Sequence, residues 1–270
     1  TTFVDTSNIE AVHAAIRPNT KIIYFETIAN PSMKVAPVAP LVSLAHARDI
    51  VVVCDNTFAS PYVMRPLEWG VDIVVESATK FIGGHSDVIG GSICMKSKLL
   101  PSDFLEQIRW NTMVKLGAPI APFNAWMLIR GIQTLSVRVE RQCQSAAKLA
   151  AHFEEHPNIK QVWYPGLASH PQHEVAKEQM PKFGAVLTFE VEAGDAALKV
   201  LDNLELTCFS ASLGGVRSTT QIPALMAFLD IPKSEREEMG IRDGMIRVST
   251  GLEDADDLIE DFDAALSKLN

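Results

Sequence analysis

The sequence predicts an α/β fold built on a mostly parallel sheet, with a smaller α/β domain at the carboxyl-terminal end. Three observations carry that expectation. Short apolar runs at 21–25, 50–54 and 72–75 have the length and β-branched content of buried strands. Between the first two lies a helical stripe, with Val38, Leu41, Val42, Leu44 and Ala45 on one face. A polar or glycine-bearing segment follows each run at its carboxyl end: Ala29-Asn30-Pro31, Asp55-Asn56-Thr57 and the loop 77–91. Open α/β sheets collect their ligands at that end of the strands.

In chain order, 21–25 is a strand broken by Asn30-Pro31, 37–48 a helix, and 50–54 a second strand. Glu68-Trp69-Gly70 closes a short helix before the strand 72–75, and 92–95 returns as a further strand. A helix is expected over 102–113, a break at 117–119, and a long helical stretch over 124–153 interrupted near Gly131. Arg130, Arg138 and Arg141 on that stretch read as a solvated, ion-paired face. The domain expectation is 1–125 for the larger domain, 126–155 for a connecting helix and 156–270 for the small one. Within the last, 162–166 is a strand ending in a turn and 171–180 a short helix. Residues 185–191 read as a strand with one covered face, 196–203 as a helix, and 206–209 as extended. The tail 254–269 is an amphipathic helix whose acidic first turn suits the helix dipole.

Composition narrows the class. The 270 residues are 47% apolar and 21% charged, the balance of a soluble globular enzyme. A net charge of −9 without a basic block argues against nucleic acid as a partner. Cys54, Cys94, Cys143 and Cys208 lack Cys-x-x-Cys spacing, which indicates neither zinc nor a disulfide framework and fits a cytoplasmic protein. His170 and His173 have Pro171 between them and no third ligand near in sequence, so no metal is expected. No apolar run reaches membrane-spanning length, and no membrane partner is expected.

The chemistry gathers at the strand ends. Lys80 lies just past the strand 72–75 in a loop of glycines and hydroxyls, suited to holding a phosphate and presenting an amine that can form a Schiff base. Ser77 and Thr79 offer hydroxyls to phosphate oxygens or to local turn hydrogen bonds. Asp55 is either a turn cap or a charge partner for a ligand, and Asn30 either a turn residue or a polar contact. Arg247 stands inside an apolar strand, where a guanidinium requires an anion: a structural carboxylate or a bound ligand. Ser212 belongs to a glycine-rich turn, Ser212-Leu213-Gly214-Gly215.

Ser77-Ala78-Thr79-Lys80, followed by Gly83-Gly84-His85-Ser86-Asp87-Val88, resembles the cofactor-lysine segment of the Cys/Met-metabolism family of pyridoxal-phosphate (PLP) enzymes. The resemblance runs from Phe3-Val4-Asp5 to Gly251-Leu252-Glu253-Asp254. It implies the fold of a fold-type I PLP-dependent transferase, with pyridoxal 5'-phosphate held by Lys80. It also implies that Asp55 pairs with the pyridinium nitrogen with support from Thr57, that Ser77 and Thr79 hold the phosphate, and that Asn30 lies near the cofactor's phenolic oxygen. Arg247 would clamp the substrate α-carboxylate, with Ser212 beside the lysine and the substrate. Family members are tetramers with shared sites, which implies a homo-oligomer. The family's amino-terminal part carries a Ser-Gly-Met phosphate turn, a stacking tyrosine and a Tyr-x-Arg arm. It has no counterpart in these residues, which are expected to be a fragment or a shortened protein.

Ala211 stands where cystathionine-handling members often have glutamate, and Arg217 where another glutamate is usual, whereas Gln221-Ile222-Pro223-Ala224-Leu225-Met226 resembles the cystathionine γ-synthase and γ-lyase branch. The activity implied is γ-elimination from a methionine- or cystathionine-like sulfur amino acid by a carbon–sulfur lyase. The alternatives are γ-replacement on an O-acyl-homoserine, as in a γ-synthase or sulfhydrylase, and a non-catalytic homologue serving as an oligomer partner. Retention of Lys80, Asp55 and Arg247 together argues against the last.

Overall fold

The computed structural model describes residues 1–192 and 194–269. In order, the elements are α1 (Ile9–Ala15), β1 (Ile22–Glu26), α2 (Val38–His46), β2 (Val51–Asp55), α3 (Ser60–Val63), a 3₁₀ turn (Pro66–Trp69), β3 (Ile73–Glu76) and β4 (Ser92–Met95). There follow α4 (Phe104–Ile108), a π turn (Arg109–Val114), α5 (Pro122–Ile132), α6 (Leu135–Glu154), β5 (Gln161–Trp163), α7 (His173–Gln179), β6 (Val186–Glu190) and α8 (Gly194–Asp202). The last are β7 (Cys208–Phe209), β8 (Thr219–Gln221), α9 (Lys233–Glu238), β9 (Met245–Ser249) and α10 (Ala255–Leu266).

The first sheet has the order β1-β2-β3-β4. Its first three strands are parallel and β4 is antiparallel. Ile23, Phe25, Val52, Cys54 and Val74 project to one face and share a core with Val38, Leu41, Val42 and Ala45 of α2. Register sets Glu26 beside Asp55, and Asp55 beside Val75, so the carboxyl ends of β1, β2 and β3 finish level. The segments that follow them therefore converge.

The second sheet, β5-β6-β9-β8-β7, is antiparallel except for the β7–β8 pair. Leu187 and Phe189 of β6, with Ile246 and Val248 of β9, pack against Phe153 of α6 and Phe262 of α10. Strand periodicity turns their neighbours the other way, toward the first unit. There the Thr188 hydroxyl donates to the Pro31 carbonyl at 2.8 Å, and Val186 joins the first core. The expectation of one covered face at 185–191 is thus corrected: β6 is buried at every position because helices cover one side and the first unit the other.

Two further corrections concern the long helical stretch. Gly131 lies inside α5, and the break comes between Ile132 and Leu135. Glycine is required there by close approach, since a Cβ would collide with the Gly83 carbonyl. Arg138 is not solvated: it is buried, with its guanidinium among backbone carbonyls. Arg130 is exposed and Arg141 pairs with Asp254 at 3.0 Å, as a solvated face requires.

Candidate active site

The strand ends build the site from one side and the second sheet from the other. Glu26, Asn30, Asp55, Ser77, Lys80 and Arg247 line a cavity of about 200 Å³. Asp55 is held by two donors: the Thr57 amide at 2.9 Å to Oδ1 and the Tyr24 hydroxyl at 3.3 Å to Oδ2. Thr57 also accepts from the Ser77 amide at 2.8 Å, which couples the end of β2 to the start of the lysine loop. The Glu26 carboxylate accepts from the Asn30 amide at 2.9 Å. Burial pushes the Glu26 pKa up, and the nearby Asp55 charge adds to the shift.

Arg247 brings a buried cation to the cavity. It is 2% exposed on β9 and has no salt-bridge partner among the described residues. Nη1 donates to Asn30 Oδ1 at 2.9 Å, and Nη2 to the carbonyls of Ala211 and Ser212 at 3.2 and 3.0 Å. Nε is buried without an acceptor. The reading in which a structural carboxylate neutralises Arg247 is overturned, because alternation along β9 turns the side chain toward Asn30 rather than toward an acid. Burial lowers its pKa to about 10, which leaves it charged at neutral pH. A buried, positively charged fork with an open donor is matched by a carboxylate.

Lys80 is half-buried, and its amine donates to Ser212 Oγ at 3.3 Å. Burial lowers its pKa and the Arg247 charge lowers it further, both of which favour the nucleophilic free amine. Ser77 lines the cavity beside it. Thr79 does not: its hydroxyl accepts from the Gly90 amide at 3.0 Å and donates to the Gly90 carbonyl at 3.2 Å. The Thr79 hydroxyl thus closes the lysine loop through Gly90.

These residues fit PLP. They supply an amine inclined to be neutral, a fixed carboxylate, a serine hydroxyl, and beside them a buried guanidinium whose Nε lacks an acceptor. A larger cavity of about 480 Å³ near Val74, Leu128 and Ile132 is lined by none of the predicted site residues. His170 is buried, with Nδ1 accepting from the Gln172 amide, and His173 Nδ1 meets the Pro165 carbonyl. Among the described residues no group of three metal-ligating side chains forms. No helix there is long and apolar enough to cross a membrane.

Sequence reasoning missed Tyr24 and Glu26 in the site. Glu26 was within its reach, being an acid at a parallel strand's carboxyl end, as Asp55 is. Tyr24 carried no such signal, because its hydroxyl reaches Asp55 only across the β1–β2 pairing.

A profile of the Cys/Met metabolism PLP-dependent enzyme family matches residues 1–267. The chain is 43% identical over 271 residues to an L-methionine gamma-lyase of Fusobacterium nucleatum subsp. polymorphum, covering 99% of this chain and 67% of that protein. It is 43% identical over 268 residues to a cystathionine gamma-lyase of Bacillus subtilis, covering 99% of this chain and 69% of that one. Among solved structures, a cystathionine gamma-lyase from Lactobacillus plantarum complexed with L-serine superposes with a TM-score of 0.92 at 39% identity, over 98% of this chain and 68% of the other.

Proposed function

The chain belongs to the Cys/Met metabolism family of PLP-dependent enzymes, and from that premise we propose that it is a carbon–sulfur lyase that eliminates the sulfur substituent from a methionine- or cystathionine-like amino acid. The observation that carries the reading is the buried Arg247 fork, without an acid and with Nε unsatisfied, in the same cavity as Lys80.

Lys80 would hold PLP through its amine, Asp55 would meet the ring nitrogen, Ser77 would meet the phosphate, and Asn30 would lie by the phenolic oxygen. Bound there, the cofactor supplies an electron sink for a carbanion at the substrate's α carbon. The other roles belong to the chain. Arg247 binds the substrate carboxylate and so fixes which α bond faces the lysine. Displaced by the substrate's own amino group, the Lys80 amine would be free to take the α proton and then move protons at the β carbon, so that the thiolate leaves from the γ carbon. Asn30 and the carbonyls of Ala211 and Ser212 hold the Arg247 fork in its plane. The Tyr24 hydroxyl and Thr57 amide keep Asp55 aimed along one direction.

Ala211 supports elimination over handling of cystathionine's distal ammonium, since a methyl side chain offers that group no partner. Self-association in solution, in a cytoplasmic setting, is part of the proposal. Trp110, Leu116, Phe123, Trp126 and Ile129 expose apolar surface on consecutive elements, which favours association.

The test begins with PLP addition, borohydride reduction and peptide mass mapping. A pyridoxyl group on Lys80, followed by thiol and 2-oxo acid release from methionine or cystathionine, is the expected result. Turnover that requires an O-acyl-homoserine would move the reading to γ-replacement, and a folded protein unmodified at Lys80 would overturn it.

A further inference from the structure

The loop after Lys80 is a tight turn whose internal bonds run from the Lys80 amide to the Ser77 carbonyl, from Gly83 to Ala78 and from Gly84 to Lys80. That pattern leaves the Phe81 and Ile82 carbonyls at the turn's end without backbone partners, as at a helix terminus. Arg138, four residues into α6, fills the gap. Nη1 donates to the Phe81 carbonyl at 2.9 Å, and Nη2 to the carbonyls of Ile82 and Gly131 at 3.4 and 2.9 Å. Nε donates to the Thr134 hydroxyl at 3.0 Å. The side chain is 3% exposed and has no carboxylate partner among the described residues.

A buried cation held by carbonyls and one hydroxyl, without an acid, is a costly arrangement, and here glycines allow the close approaches it needs. Gly84 has φ +71°, and a Cβ on it would collide with the Arg138 guanidinium. A Cβ on Gly131 would collide with the Gly83 carbonyl. From the second unit, a Cβ on Gly214 would sit 2.7 Å from the Phe81 amide nitrogen. Two close approaches and one guanidinium thus converge on the peptides that follow Lys80, whose amine reaches Ser212.

We propose that Arg138 is a positioning residue for Lys80: by capping the Phe81 and Ile82 carbonyls it aims the lysine's Cα–Cβ bond into the cavity. The inference rests on Lys80 being the PLP lysine. The charged groups sharing that cavity are Glu26, Asp55 and Arg247. A lysine ammonium in place of the fork keeps the charge but cannot span the same carbonyls, so the turn would relax and Lys80 would leave its buried position.

The experiment compares the native chain with R138K, R138M, G84A and the core control L149A, in which a fully buried leucine of the same helix is truncated. Each is reacted with PLP over pH 6–10, reduced with borohydride and mapped at Lys80, alongside a melting curve. The expected result for R138K and G84A is at least a tenfold loss of Lys80 labelling at fixed PLP and neutral pH. Their labelling midpoint should move to higher pH, toward an ordinary lysine, while L149A melts earlier but labels like the native chain. Native-like labelling and midpoint in folded R138K or G84A would overturn the proposal, and so would unfolding of R138K, R138M and G84A alike, which would make Arg138 an anchor of the fold. Absence of Lys80 labelling in the native chain would instead sink the PLP reading itself.

Discussion

The two sheets are buried to different degrees. In the second, every residue of β6 and β9 is buried, because α6 and α10 lie on one face and the first unit on the other. In the first, α2 covers one face, while on the other Ile22 and Tyr24 of β1 and Ile93 of β4 are 57%, 55% and 47% exposed. The difference matters because the site straddles both. Arg247 comes from the closed sheet, where sandwiching by two layers leaves its strand little freedom. Asp55, Ser77 and Lys80 come from the open one, whose loops are tied by Thr57, Arg138 and Gly131. Arg247 is held through packing, and the lysine loop through hydrogen bonds and close backbone approach.

That comparison can be broken most strongly at the aromatic cluster of the second sheet, where Phe262 meets Phe153 and Phe189 edge-on at centroid distances of 5.0 and 5.9 Å. Phe262→Ala should cost about 3–5 kcal/mol in denaturant unfolding. Arg247→Met should lower kcat/KM for the amino acid about 100-fold, mostly through KM, since a charged pair to the carboxylate is lost. Its unfolding midpoint should change little, because the substitution also relieves a buried charge that lacks an acid. An equal loss in binding and in stability would show that Arg247 holds the sheets together instead.

In the first sheet, Glu76 is buried with Oε1 accepting from the Asn56 amide group at 2.8 Å, and burial lifts its pKa to about 7. The folded state therefore keeps a proton that the unfolded carboxyl releases near its ordinary value of 4.5. Glu76's contribution is most favourable below that value and declines as pH rises toward 7, after which it is level. Glu76→Gln should flatten the stability profile between those pH values and raise stability at pH 8 by about 2 kcal/mol. A profile that keeps its slope in the variant would assign it to another group. The smallest effect belongs on the open face: Ile22→Ala should change stability by less than about 0.5 kcal/mol. A loss as large as that in the second core would mean the open face is covered in solution.

Much of this was legible in the chain. The strands of the first sheet, the helix 38–46, and Lys80, Asp55 and Asn30 at strand ends follow from apolar runs and the residues that stop them, which are local signals. The placement of Arg247 on a buried strand was legible for the same reason. Its true surroundings were not, because Asn30 lies 217 residues away and the carbonyls of Ala211 and Ser212 belong to another loop.

Arg138 shows the limit most clearly. In the helical pattern it sits among charged neighbours, and nothing in that pattern reveals that its side chain enters a pocket formed by carbonyls 56 and 57 residues earlier. Thr79 shows the same, since nothing local to it reveals that the return of the loop brings Gly90 against its hydroxyl. The sequence by itself determined where the strands end and which reactive side chains stand there, since hydrophobic periodicity and turn chemistry act over a few residues. Only the tertiary structure decided which polar groups are satisfied and which are left open, because hydrogen-bond partners are set by the packing of distant segments. Arg247 Nε is one of those left open, in the cavity that the side chain shares with Lys80.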